Sequence, residues 1–167
     1  MEIRLEKLDN KFKDGVVRAL NDNKIRDNLR DLPYPYTEEH ALDFINSTKN
    51  SANDAVFAIV IENKYAGCIS ACRQQNIHFR TAEIGYYVIP EFWNRGVATT
   101  ALKLLTDYIF ENTDIIRLYA EPFAKNLASC RVLEKAGFVC EGILKNNAVK
   151  DGKIEDMKIY ALIKETC

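Results

Sequence analysis

The sequence predicts an α+β, or mixed α/β, fold: a central, mostly antiparallel sheet, one parallel strand–helix–strand crossover, and flanking helices. Three observations carry this. Paired apolar runs flank Asn63-Lys64 and Asp151-Gly152, and both read as hairpins. Residues 97–112 repeat apolar side chains at helical spacing. That helix lies between strand-like segments at residues 81–88 and 115–120, which suits a right-handed parallel crossover.

Residues 3–8 alternate apolar and charged side chains and read as a first strand. Val16, Val17, Leu20, Ile25 and Leu29 imply one or two helices over residues 12–29, broken near Asn21-Asp22-Asn23. Pro33 and Pro35 remove backbone donors and exclude a helix over residues 32–36. Thr37 is suited to cap the next helix, with Glu38 and Glu39 at its positive end. Residues 55–62 and 65–73 form the first hairpin, and residues 81–88 a third strand that ends at Pro90. Along that strand Glu83, Gly85 and Tyr87 share a face. Val97, Ala101, Leu104, Leu105, Tyr108 and Ile109 form the apolar stripe of the long helix, opposite Lys103, Asp107 and Glu111. Residues 127–136 form the last helix, stopped by Gly137. Residues 139–149 and 153–163 form the closing hairpin.

The 167 residues are a normal length for one domain, and no repeat or Gly/Ser linker divides them, so residues 1–167 read as a single domain. With 47% hydrophobic and 28% charged residues, the composition is that of a soluble globular protein. The formal net charge of -1 gives no support for a broad nucleic-acid-binding surface. No apolar run approaches the roughly 20 residues of a membrane span, and residues 1–4 do not resemble a signal peptide, so a cytoplasmic location is expected. Cys68, Cys72, Cys130, Cys140 and Cys167 are odd in number and sit mostly among apolar residues; they read as buried free thiols. No set at metal-ligand spacing is present, so no metal is expected. His40 and His78 stand alone and suit surface positions.

The chemistry concentrates in Pro90-Glu91-Phe92-Trp93-Asn94-Arg95-Gly96-Val97-Ala98-Thr99, between a strand and a long helix. A helix start leaves backbone N–H groups without internal acceptors, and the helix dipole favours an anion there, above all a phosphate. Gly96 permits close approach of a ligand to the backbone, Ala98 is small, and Arg95 adds positive charge. A glycine that only serves the turn is the alternative.

This stretch resembles motif A of the GNAT acetyltransferases, Arg/Gln-x-x-Gly-x-Gly/Ala, with Gly96 and Ala98 in the small-residue positions. Trp93 stands where that family usually has Arg or Gln, a departure typical of the Rim-type branch, which resembles the ribosomal-protein N-terminal acetylating enzymes. Glu83-Ile84-Gly85-Tyr86 is similar to the same branch. Asn126-Leu127-Ala128-Ser129 followed by Val132-Leu133-Glu134-Lys135-Ala136-Gly137-Phe138 resembles a second family signature, Asn-x-x-Ser with Glu-Lys-x-Gly-Phe. Glu141-Gly142, Asp151-Gly152, Asp156 and Tyr160 also fit, so the likeness covers nearly the whole chain.

The resemblance implies acetyl-CoA as co-substrate and acetyl transfer to an amine by direct attack, without an acyl-enzyme. It implies that the pyrophosphate rests on the amides of Arg95, Gly96, Val97, Ala98 and Thr99. It further implies that the pantetheine arm runs beside Tyr86, Tyr87 and Val88, with Asn126 hydrogen-bonding it, where two central strands splay apart. A Val88 N–H would polarise the carbonyl. Ser129 is the candidate general acid at the coenzyme sulfur, or else a serine serving the helix backbone. Glu83 is the candidate base toward the amine, or else a structural strand carboxylate. Tyr87 shares its face and lines the acceptor side. Tyr34-Pro35-Tyr36 walls the acceptor site or serves as a lid on the core.

The acceptor is a small amine or a protein N-terminus, with no nucleic acid or membrane partner and a monomer or homodimer as the assembly. A longer acyl donor such as succinyl-CoA, and a non-catalytic acyl-CoA-binding sensor or interaction module, stay open as other readings.

Overall fold

The strand β1 (Ile3–Lys7) opens the chain, and its register against β2 (Asp54–Ile61) makes it one edge of the sheet. This is a computed structural model that describes residues 1–166, so Cys167 lies outside the described residues. Helices α1 (Lys13–Leu20) and α2 (Asn23–Arg26) separate at the expected break, where Asp22 turns extended and its carboxylate accepts the Lys24 N–H at 2.8 Å. Helix α3 (Glu38–Lys49) starts at Thr37 as expected. The Thr37 hydroxyl accepts the His40 N–H at 3.2 Å, and His40 Nδ1 accepts the Thr37 N–H at 3.0 Å. This reciprocal cap gives His40 a partner that the sequence did not disclose.

Strand β2 turns into β3 (Lys64–Arg73) through Glu62 and Asn63, both at positive φ, one position earlier than expected. The last hairpin, β6 (Val139–Lys150) to β7 (Lys153–Ile163), turns through Asp151 and Gly152, also at positive φ. Two left-handed residues match the twist of the flanking strands in each case. Between the hairpins lie β4 (Thr81–Val88), α4 (Val97–Asn112), β5 (Arg117–Ala120) and α5 (Leu127–Lys135), which Gly137 at φ 93° follows. The strands join in the order β1-β2-β3-β4-β5-β7-β6, antiparallel throughout except for the parallel pair β4–β5. A single cluster of buried side chains runs from Leu8 to Tyr160.

Helix α4 buries Val97, Ala101, Leu102, Leu105 and Ile109. Leu104 and Tyr108, expected on that stripe, are exposed instead. At about 100° per residue, Leu104 and Tyr108 fall beyond one edge of the arc that Ala101, Leu102, Leu105 and Ile109 span. Tyr108 sits at the stripe's margin and meets Phe57 of β2 edge-on. The thiols also divide: Cys68 and Cys130 are buried and Cys72 is half-buried, but Cys140 is exposed, contrary to the expected packing role. Cys140 lies at a β6 bulge, where the strand leaves regular pairing with β7. No described helix is long and apolar enough to cross a membrane.

Two irregularities in the central strands shape the middle of the sheet. A register shift in the β2–β3 pair leaves Ala66 as an extra residue and puts Tyr65 on the same face as Tyr87; their hydroxyls lie 2.7 Å apart. Gly67 is required there, because a Cβ would stand 2.1 Å from the Tyr87 carbonyl oxygen. The second irregularity is a separation. Strands β4 and β5 pair only from Thr81–Arg117 to Glu83–Tyr119, although β4 continues to Val88.

Candidate active site

The separation of β4 from β5 opens a cleft of about 630 Å³. Register determines which groups face it. The Ile89 N–H donates to the Ala66 carbonyl at 2.8 Å, which makes Tyr87 and Cys68 a hydrogen-bonded pair. The alternation of an antiparallel ladder then sends the peptide groups of Tyr86 and Val88 away from β3, toward the gap. The Val88 carbonyl is already taken by the Trp93 indole N–H at 2.6 Å, so Val88 presents its N–H. Side chains alternate as well. Ile84, Tyr86 and Val88 face α4 and α5, while Glu83, Gly85 and Tyr87 face the α1–α2 side.

One end of the cleft is the start of α4. Gly96 is its N-cap, at φ 75°, with open space where a Cβ would be. It supplies no capping side chain, and the first helical bond is Thr100 N–H to Gly96 C=O at 3.0 Å. The amides of Val97, Ala98 and Thr99 therefore have no intrahelical acceptor and, with the helix dipole, suit an anion. Arg95 turns aside, its guanidinium 5.6 Å from the Phe92 ring.

In the middle, Tyr86 OH lies 2.7 Å from Ser129 Oγ and 3.3 Å from the Ser129 carbonyl. Ser129 N–H is capped by Asn126 Oδ1 at 3.2 Å. The Ser129 hydroxyl thus does not serve the helix backbone, and Asn126 retains its amide N–H groups for another acceptor. Burial pushes the Tyr86 phenol up to about 12, so it stays protonated across the neutral range.

At the other end, Arg30 Nη2 reaches Glu83 Oε1 at 2.5 Å. The Arg30 side chain is 80% exposed and that of Glu83 25%. Glu121, just past β5, also lines the cleft; burial and then the nearby Glu83 charge raise its carboxyl above the usual range. Burial, Glu83 and Glu121 together raise the Tyr119 phenol. Lys150, at the tip of the β6–β7 hairpin, reaches the Arg30 carbonyl at 3.5 Å and Asp31 at 3.3 Å, which ties the Arg30 segment to the hairpin.

Residues 3–139 match the model of the acetyltransferase (GNAT) domain. The chain belongs to the GNAT acetyltransferase family. Among its relatives is the probable N-acetyltransferase YjcK of Bacillus subtilis, 34% identical over 61% of this chain and 56% of that one. The ribosomal-protein-serine acetyltransferase of Escherichia coli is 29% identical over 65% of this chain and 60% of its own length. The fold is also that of a spermidine N-acetyltransferase from Vibrio cholerae solved with CoA and spermine. The TM-score is 0.86 at 21% identity, covering 96% of this chain and 95% of that one. The chain matches about half the length of the first curated relatives.

Within this GNAT fold the expected site residues come together, apart from one. Glu83, Tyr86, Tyr87, Val88, Gly96, Val97, Ala98, Thr99, Asn126 and Ser129 all line the cleft, and Arg95 does not. The Tyr34-Pro35-Tyr36 segment lies over the core: Tyr36 is buried, with its backbone held both ways by the Asn21 side chain. Residues that sequence reasoning missed are Arg30, Glu121 and the Tyr86 hydroxyl. Glu121 was within reach, since it lies two positions past Tyr119, the register partner of Glu83. Arg30 left no signal, because its partner is 53 positions away.

Proposed function

We propose that this GNAT chain, acting as one domain over residues 1–167, transfers the acetyl group of acetyl-CoA to a primary amine in a ternary complex. The observation that carries this reading is one cleft passing through the sheet. Free helix amides at Val97–Thr99 stand on one face and the carboxylates Glu83 and Glu121 on the other. Diphosphate oxygens suit the first end, and an ammonium suits the second. The chain's membership of an acetyltransferase family, with relatives named for acetylating a ribosomal protein and spermidine, supports the same chemistry.

Each side chain then has a role. The Tyr86 and Val88 peptide groups pair with the pantetheine arm, and Asn126 donates to it. The Val88 N–H polarises the thioester carbonyl. Glu83, assisted by Glu121, holds the acceptor ammonium and takes its proton directly or through water. The freed amine attacks the carbonyl carbon; the C–N bond forms and the C–S bond breaks. Ser129 gives its proton to the departing thiolate and regains one from solvent. Orientation of both substrates across one gap supplies much of the rate.

A turnover screen with acetyl-CoA tests this, using spermidine, a peptide beginning with serine, and free amino acids as acceptors. Release of CoA thiol with an acetylated product is expected for at least one amine. Acetyl-CoA binding without turnover across the panel would favour a sensor instead.

A further inference from the structure

Ser129 Oγ has one hydrogen-bond partner among the described residues, and it is not part of its own helix. Tyr86 approaches both oxygens of Ser129, Oγ at 2.7 Å and the carbonyl at 3.3 Å. The carbonyl only accepts and Oγ can accept or donate, and Oγ is the nearer of the two. In the 2.7 Å pair either hydroxyl can donate; with the Tyr86 proton turned to the nearer oxygen, Oγ accepts and the Ser129 proton is free for the cleft.

We propose that Tyr86 is a positioning residue for acetyl transfer: its hydroxyl, carried on the central sheet, fixes the Ser129 rotamer and stabilises negative charge on Ser129 Oγ as the departing thiolate takes the serine proton. This rests on the acetyl-transfer reading with Ser129 as the acid. Tyr86 sits in β4, opposite Ile69 of β3, so its hydroxyl is carried by a paired strand of the central sheet. A serine side chain otherwise has three staggered positions to choose from. As the proton leaves Oγ, the bond from Tyr86 becomes a charge-assisted one, about twice as strong as a neutral bond.

Tyr86 does not itself lose its proton. With its phenol pushed up to about 12 by burial, it is protonated at neutral pH and can hold the hydrogen bond to Oγ. The balance is therefore one proton from Ser129 to sulfur, one from solvent back to Ser129, and none from Tyr86.

The test is a double-mutant cycle with acetyl-CoA and spermidine, and in parallel with the serine peptide. Tyr86→Phe keeps the ring and removes the donor. It should lower kcat about 10-fold, the worth of one hydrogen bond of about 1.4 kcal/mol, with the KM for acetyl-CoA unchanged. In a Ser129→Ala background the same change should cost nothing further. Thermal melts near the native value would confirm that all variants fold. An equal loss in both backgrounds, a loss confined to KM, or native kcat in Tyr86→Phe overturns the inference. If Ser129→Ala keeps full kcat, the acid assignment fails and the inference falls with it. A slow Ser129→Ala with a native-like Tyr86→Phe removes Tyr86 alone. Absence of turnover by the native chain with both acceptors and with free amino acids contradicts the acetyl-transfer reading itself.

Discussion

Arg30 and Glu83 lie 53 positions apart in sequence and 2.5 Å apart in space, at the end of the cleft opposite the α4 helix start. An ion pair this exposed on its arginine side is worth about 1 kcal/mol or less, so an arriving ammonium can displace it. Arg30→Ala is therefore expected to melt within a few degrees of the native chain. It should lower the KM for a cationic amine such as spermidine, which no longer competes with the guanidinium. Steady-state kinetics beside a thermal melt checks both; an unchanged KM would place Arg30 outside acceptor binding, and a raised KM would contradict competition with the amine.

Glu83→Gln keeps shape and removes charge. Acceptor KM should rise and acetyl-CoA affinity should hold. The remaining rate should climb with pH, because alkyl amines must lose a proton before attacking. A lowered melting temperature with a native pH–rate profile would instead make Glu83 a structural residue of β4.

Gly96→Glu should abolish acetyl-CoA binding, since it sets a negative side chain beside the free amides of Val97, Ala98 and Thr99. The position faces open space, so the cost to folding is the left-handed backbone alone, about 1 kcal/mol. Calorimetry on the folded variant checks this, and native-like affinity would contradict the placement of the phosphates.

Ser129→Ala should lower kcat about 10²-fold with acetyl-CoA affinity little changed, the low end for acid catalysis. Asn126→Ala removes the cap to the Ser129 N–H and the amide that donates to the pantetheine arm, so it should cost about 1 kcal/mol of stability and raise the KM for acetyl-CoA. Kinetics and melts on the two variants separate these roles.

Asp156 pins a bulge in the last hairpin. It accepts the Asn146 N–H at 2.8 Å and Lys145 Nζ at 3.1 Å, and these two donors hold its carboxyl below the usual range. A depressed folded-state value means its contribution is present above the ordinary carboxylate range and is lost as pH falls through the lowered value. Asp156→Asn should thus be less stable than the native chain at neutral pH, with the difference closing in acid. Melting curves at several pH values test the sign.

Local chemistry was readable and remote contact was not. The Asp151-Gly152 turn, the Thr37 cap, the Gly137 stop and the Gly96 start each depend on a few neighbouring residues, and the fold follows from their order. Ten of the eleven expected site residues line the cleft because motif and strand alternation act over short spans. Arg95 missed it because a turn residue's side-chain direction depends on packing, here over Phe92. Arg30–Glu83 and Tyr86–Ser129 join elements 53 and 43 positions apart, and no local propensity encodes such pairs. The exposed Cys140 likewise reflects a β6 bulge that composition does not reveal.

The central claim is that one cleft brings acetyl-CoA and an amine together and moves the acetyl group between them. Its most direct test follows the native chain with acetyl-CoA and each acceptor, by thiol release and by mass spectrometry of the acceptor in the same reaction. The expected result is equal amounts of free CoA thiol and singly acetylated amine for at least one acceptor, lost in Gly96→Glu. Tight acetyl-CoA binding with neither thiol nor acetylated amine would contradict it and leave a CoA-binding sensor.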